Sequence, residues 1–216
     1  MQVSKSFKRV IFLELAIPIA LLLLGIYHGL MQTIYRSGAI QQTSVAKLDY
    51  YQGLTLHGVI NAIVLTTFFA VAFGHVTMTY YLKKEPNKKL MWLSFWFMLI
   101  GTVMAAWAMI AGKASVLYTF YPPLKAHPLF YLGTALIIVG SWFPFFDWSR
   151  MYMKWKKVNP TTKTPLAVLG TLIKFIIWFT CTLAVAYEVL VLLIPWSMGW
   201  TKTVNVNLAR TLFWFF

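Results

Sequence analysis

The chain has 216 residues, of which 60% are hydrophobic and 11% charged, and its 19 Lys and Arg against 5 Asp and Glu give a formal charge of +14. A soluble domain carries about 25% charged residues, so composition excludes an ordinary soluble globule, and the apolar content excludes intrinsic disorder. The charge alone would suit a nucleic-acid-binding domain, but five long apolar runs separated by short basic loops do not, and no nucleic-acid partner is expected.

A bilayer core about 30 Å thick is crossed by roughly 20 apolar residues in a helix. Five segments reach that length: Val10 to Tyr35, Leu54 to Leu82, Leu90 to Gly112, Pro128 to Trp148 and Leu166 to Pro195. Their interiors lack the period-2 alternation of barrel strands, so helices are predicted. Pro86 with Asn87, Pro122 with Pro123, and Asn159 with Pro160 punctuate the connections. The first segment begins basic, as a signal peptide does, but lacks a small-x-small cleavage pattern and is too long, which predicts a retained span. The single cysteine, Cys181, lies in the fifth run, so no intrachain disulfide is possible. Near the end, Asn205 or Asn207 is a plausible N-cap for a helix starting at about residue 206. Nine residues rise only about 14 Å, too little to cross, so the chain reads as a fragment that stops inside a sixth span.

The predicted fold class is all-α: a polytopic transmembrane helix bundle forming one membrane domain over 1–216, with five complete spans and the start of a sixth. Twelve cations lie on one side, at the N-terminus, the second-to-third loop and the fourth-to-fifth loop with its flanks. Six lie opposite (Arg36, Lys47, Lys113, Lys125, Lys202 and Arg210), and Lys174 falls inside the fifth span. The richer side is expected to be cytoplasmic, so the N-terminus is placed inside. Trp92, Trp148, Trp155, Trp196 and Trp200 sit near span ends and are expected as interfacial anchors.

An ionisable group within a span is costly and by default functional. The candidates are Glu14, His28, His57, His75, Asp147, Lys174 and Glu188, with His127 at the edge of the fourth span. His57, about one turn into the second span, is followed by Gly58 and preceded one turn earlier by Gly53. Imidazole is a usual axial ligand of haem, and a flat macrocycle needs small neighbours; the bland alternative is a histidine hydrogen-bonded to another helix. His75, eighteen residues on and on the same face, is either a second haem ligand or, more simply, an interfacial polar residue. His28 lies at a depth comparable to His57 on the antiparallel first span and could complete a bis-histidine site. Lys174 and Glu188, about 21 Å apart along the helix, form no ion pair; Lys174 is expected to snorkel. Glu14 and Glu188 need a partner or a proton. Asp147 and Arg150 read as a local i, i+3 pair.

One segment takes the reading further. Tyr50-Tyr51-Gln52-Gly53-Leu54-Thr55-Leu56-His57-Gly58-Val59-Ile60-Asn61-Ala62 resembles the second helix of subunit I of the haem–copper oxygen reductases, in particular the B-type cytochrome c oxidases. The resemblance continues through Leu90-Met91-Trp92-Leu93-Ser94, Val116-Leu117-Tyr118-Thr119-Phe120-Tyr121-Pro122-Pro123-Leu124-Lys125, Leu193-Ile194-Pro195-Trp196-Ser197 and Ala209-Arg210-Thr211-Leu212-Phe213-Trp214, in family order. It implies that His57 is an axial ligand to the iron of a low-spin haem, and that Tyr118 and Tyr121 lie near that haem on the outer side. It implies further that the full-length subunit carries a high-spin haem and copper whose ligands are absent here, so the fragment alone is expected to be inactive and to hold no catalytic residue.

For the parent, the resemblance implies four-electron reduction of oxygen to water, coupled to proton translocation in a prokaryotic plasma membrane. Cytochrome c would be the electron donor, acting through a copper-bearing subunit II. Nitric oxide reductase, a non-catalytic haem electron-transfer anchor using His28 and His57, and a cofactor-free transporter are the alternatives.

Overall fold

The computed structural model describes residues 2–39 and 49–215; Lys47, counted among the six outer cations, lies outside them. The described residues form six helices: α1 (Lys5–Arg36), α2 (Tyr50–Leu82), α3 (Lys88–Ile110), α4 (Pro128–Val158), α5 (Leu166–Ser197) and α6 (Val206–Trp214). The first five are long and apolar enough to cross a membrane. Helices are the economical answer for such sequences, because each satisfies its backbone polar groups within itself.

The helix starts follow local chemistry. Ser4 accepts from the Phe7 amide at 3.2 Å, Asp49 from Gln52 at 2.6 Å, Asn87 from Lys89 at 2.9 Å and Asn205 from Leu208 at 3.0 Å. Each side chain satisfies a backbone donor that the first turn leaves orphaned. At α4 the cap is His127, whose Nδ1 accepts from Leu129 at 3.2 Å, with Pro128 in the first helical position where its missing N–H costs nothing. The Asn205 cap opens α6 where the sequence places it.

α3 and α4 make the most extensive helix contact. Glycines bring the two backbones together: a Cβ on Gly133 would stand 2.7 Å from the Ala105 nitrogen, and one on Gly140 2.8 Å from Met98 Cγ. Without a hydrophobic effect between helices in lipid, such close approach supplies the packing. Val10, Val64, Phe68, Met98 and Ile137 fill the interior, while Phe12, Leu23, Val103 and Ile177 point outward.

Four features differ from the sequence reading. α4 runs to Val158, ten residues past the expected end of its span, because Arg150 to Lys157 continue the helix as a polar extension. Trp148 is fully buried rather than interfacial: its indole packs against Gly74, where a Cβ would stand 2.9 Å from Cζ2. Asp147 pairs not with Arg150 but with the backbone, accepting from the Asn87 amide at 2.6 Å. Two stretches are π-helical, Val59–Leu65 in α2 and Glu188–Leu193 in α5, a rare geometry enriched at functional positions.

Candidate functional site

The first turns of α2 are tied to three neighbours, and each tie uses a different residue of the 50–62 segment. Gln52 Nε2 donates to the carbonyls of Met109 and, at 3.3 Å, Ile110, so it adds a side-chain donor to the C-terminal carbonyls of α3. Gly53 faces α1, where a Cβ would stand 2.8 Å from Gln32 Nε2 and 3.3 Å from His28 Nδ1. The Thr55 hydroxyl donates to the Tyr51 carbonyl at 2.7 Å and accepts from the Leu117 amide at 2.9 Å. That bond pins the α3–α4 loop at a residue held in the left-handed region, φ 63°.

His57 sits where these ties converge. Its Nδ1 is 2.7 Å from the Gly25 carbonyl oxygen on α1. A carbonyl only accepts, so Nδ1 carries the proton and Nε2 keeps a bare lone pair. Asn61, one turn on, has its amide 3.1 Å from the same Nδ1. Because that ring nitrogen is already a donor, the carboxamide oxygen belongs on this side. Gly29 makes the imidazole's place possible: a Cβ there would stand 2.6 Å from Cε1 and 2.7 Å from Nδ1.

On the other flank Gly58 lies against Tyr118, with a Cβ position 2.9 Å from the tyrosine Cβ. Leu54, His57, Gly58, Asn61, Tyr118 and Thr119 are among the residues lining a cavity of about 390 Å³. The arrangement is a half-buried imidazole, locked in one tautomer by a backbone carbonyl and bordering a mostly apolar cleft. Such an imidazole is set up to coordinate a metal through Nε2, since the second nitrogen's hydrogen bond fixes both tautomer and orientation.

The other sequence candidates are distributed differently. Tyr118 lines the His57 cavity, whereas Tyr121 lies under the Arg210 guanidinium, 4.3 Å from its ring centroid, and Arg210 also donates to the Pro122 carbonyl at 3.0 Å. Tyr118 and Phe120 both meet Phe213 of α6 edge-on, at 6.1 and 5.5 Å. His28 is buried between α1 and α2, edge-on to Tyr27, and does not line the His57 cavity. Lys174 is exposed, with its ammonium 4.9 Å from the Phe175 ring centroid. Glu188 is fully buried, and neither carboxyl oxygen has a hydrogen-bond partner among the described residues.

His75, expected at the interface, is instead buried to 1% exposure. Its Nδ1 accepts from Trp148 Nε1 at 3.1 Å, and its Nε2 faces Glu14 Oε1 at 4.0 Å. The indole only donates, so His75 carries its proton on Nε2. No group of three or more His, Cys, Asp or Glu lies together among the described residues.

Sequence reasoning missed Gly25, Gly29 and Asn61. The i, i+4 spacing of Gly25 and Gly29 opposite that of His57 and Asn61 was the available signal.

The family model for cytochrome C and quinol oxidase polypeptide I matches residues 9–216. Cytochrome c oxidase subunit 1 of Thermus thermophilus is 44% identical over 166 residues, covering 77% of this chain and 30% of that protein. A heme-copper terminal oxidase dimer solved by cryo-EM superposes with a TM-score of 0.96 at 52% identity, covering 98% of this chain and 37% of that one. The chain thus spans about a third of the length of the relatives it matches. It belongs to the cytochrome c and quinol oxidase polypeptide I family.

Proposed function

We propose that the chain is the N-terminal portion of the catalytic subunit I of a terminal respiratory oxidase, and that His57 is an axial ligand of its low-spin haem. The observation that carries this reading is the 2.7 Å bond from His57 Nδ1 to the Gly25 carbonyl, which leaves Nε2 without a proton on a residue that lines the cavity. The residues fit the group. Gly58 and Ala62 leave small surfaces along the cleft, Leu54 and Leu117 make it apolar, and Gly29 admits the imidazole. A bound haem would supply a one-electron redox centre, with its potential tuned by axial ligation and burial.

The chain's own residues bind and orient. Gly25 and Asn61 hold the imidazole, Thr55 fixes the loop carrying Tyr118, and Gln52 anchors α2 to α3. In the full-length parent the activity is the four-electron reduction of oxygen to water coupled to proton translocation, with electrons from cytochrome c arriving through a copper-bearing subunit II. A high-spin haem and copper complete that parent, held by segments other than these. The protein is placed in the plasma membrane of a prokaryote, with the lysine-rich end cytoplasmic.

The test is His57→Leu in the full-length subunit assembled with its partners. Loss of the six-coordinate low-spin absorbance, with the complex still assembled, is the expected result; an unaltered low-spin spectrum overturns the assignment. With one axial ligand, the isolated 216-residue chain is expected to retain haem weakly or not at all on purification.

A further inference from the structure

The end of the bundle at which α1 and α3 begin is strongly cationic and poor in available carboxylates. Glu85 accepts from both the backbone and, at 2.7 Å, the hydroxyl of Ser4, and Asp147 accepts from the Asn87 amide. Glu14 is fully buried. Both acidic groups near this surface thus accept hydrogen bonds at helix starts, and neither forms an ion pair with the surrounding cations among the described residues.

Between the starts of α1 and α3 lies a cleft of about 560 Å³ lined by Lys5, Ser6, Arg9, Lys88 and Trp92. The three cations are exposed and form no ion pair among the described residues. The cleft wall is fixed, because Trp92 Nε1 donates to Ser6 Oγ at 2.8 Å. That bond leaves the serine hydroxyl proton free to be donated into the cleft.

Below the charges the surface turns apolar on both helices. On α3 the i, i+4 series runs Lys88, Trp92, Trp96, and the two indoles stack at 6.5 Å with Trp96 half-exposed. On α1 Phe12, 68% exposed, follows Arg9 on the face of Lys5. A cationic, hydroxyl-bearing cleft above an aromatic column is complementary to an amphiphile with an anionic head.

We infer that this cleft binds an anionic glycerophospholipid, its phosphate held by Lys5, Arg9 and Lys88 and an acyl chain laid along Trp96 and Phe12. Arg9 presents the planar fork that matches phosphate oxygens, with the lysines as point charges beside it. Basic pockets between helices at a membrane surface take such headgroups. The neighbouring cleft around Arg150 and Lys154 contains Glu85 and Asp147 and lacks a tryptophan, so its chemistry suits an anion less well.

The experiment uses the purified full-length complex, delipidated and then titrated with phosphatidylglycerol, phosphatidylcholine or inorganic phosphate, with retained lipid read by native mass spectrometry and melting temperature as a second readout. Retention of phosphatidylglycerol over phosphatidylcholine by about tenfold or more is expected, as follows from several cations near one headgroup. The triple variant Lys5→Gln/Arg9→Gln/Lys88→Gln should abolish that preference, whereas Lys156→Gln/Lys157→Gln/Lys163→Gln should keep it. Trp96→Ala/Phe12→Ala should weaken phosphatidylglycerol retention without changing the response to phosphate.

Equal losses in the two charge triples would reduce the effect to general surface charge and overturn the site. Stabilisation by inorganic phosphate as strong as by lipid would overturn the lipid as its occupant. If the triple fails to assemble, Arg9→Gln alone must still lower the preference.

Discussion

Two histidines on α2, eighteen residues apart and separated by the π-helical stretch Val59–Leu65, carry their protons on opposite nitrogens. His57 donates from Nδ1 to the Gly25 carbonyl and keeps Nε2 bare; His75 accepts at Nδ1 from Trp148 and keeps its proton on Nε2, 4.0 Å from Glu14. The partner decides. A backbone carbonyl can only accept and an indole can only donate, so each neighbour imposes one tautomer. The first histidine borders a cavity and is half-buried, while the second is sealed between α1 and α4. Identical side chains on one helix are thus left in different states: a proton-free Nε2 on a residue lining a cavity in one place, a buried donor beside a carboxyl in the other.

The comparison breaks most sharply at His57 itself. In the full-length complex, His57→Leu should lower oxygen consumption on the order of 100-fold or more, beyond the 10–100-fold typical of losing a supporting group around a metal ligand. His75→Leu should leave the low-spin absorbance in place. Gly29→Ala comes next. Its methyl would meet the imidazole at 2.6 Å, so haem retention should fall roughly 10-fold or more, as for disturbed support around a ligand, with about 1–3 kcal/mol lost to overpacking. Haem content per complex and thermal unfolding measure the two effects separately.

Trp148→Phe probes the other region. It deprives a buried imidazole nitrogen of its donor, at a cost of about 1–3 kcal/mol, visible as a lower melting temperature with the low-spin spectrum intact. The smallest effect is expected for Thr55→Val. It removes the acceptor of the Leu117 amide, costing about 1 kcal/mol and loosening the loop beside the cavity. Protease susceptibility around Leu117 should rise.

Much of this was legible in the sequence because the membrane imposes simple rules. The five long helices follow from apolar run length, and Asn205 opens α6 as a cap residue should. His57 draws attention in the sequence because it stands in a span beside Gly53 and Gly58, although composition alone also allowed a histidine hydrogen-bonded to another helix, and the Gly25 carbonyl on α1 supplies that bond. What stayed hidden depends on which way helices turn toward one another. Trp148 sits near a predicted span end, yet Gly74 on a distant segment makes room for its indole in the core. His75 is recognisable as buried only once α1 and α4 close over it. Asp147 has Arg150 one turn away, but the Asn87 amide reaches it first through the tertiary fold. The π-helical stretches after His57 and at Glu188 leave no mark in a hydropathy pattern.

The most direct test is a cavity substitution at His57. His57→Gly in the full-length complex removes the imidazole and leaves a space beside Gly29 and Gly58. The low-spin ferric signal in electron paramagnetic resonance should vanish, and free imidazole added to the buffer should restore it. A low-spin signal that survives the substitution unchanged would contradict the assignment of His57 as the iron ligand.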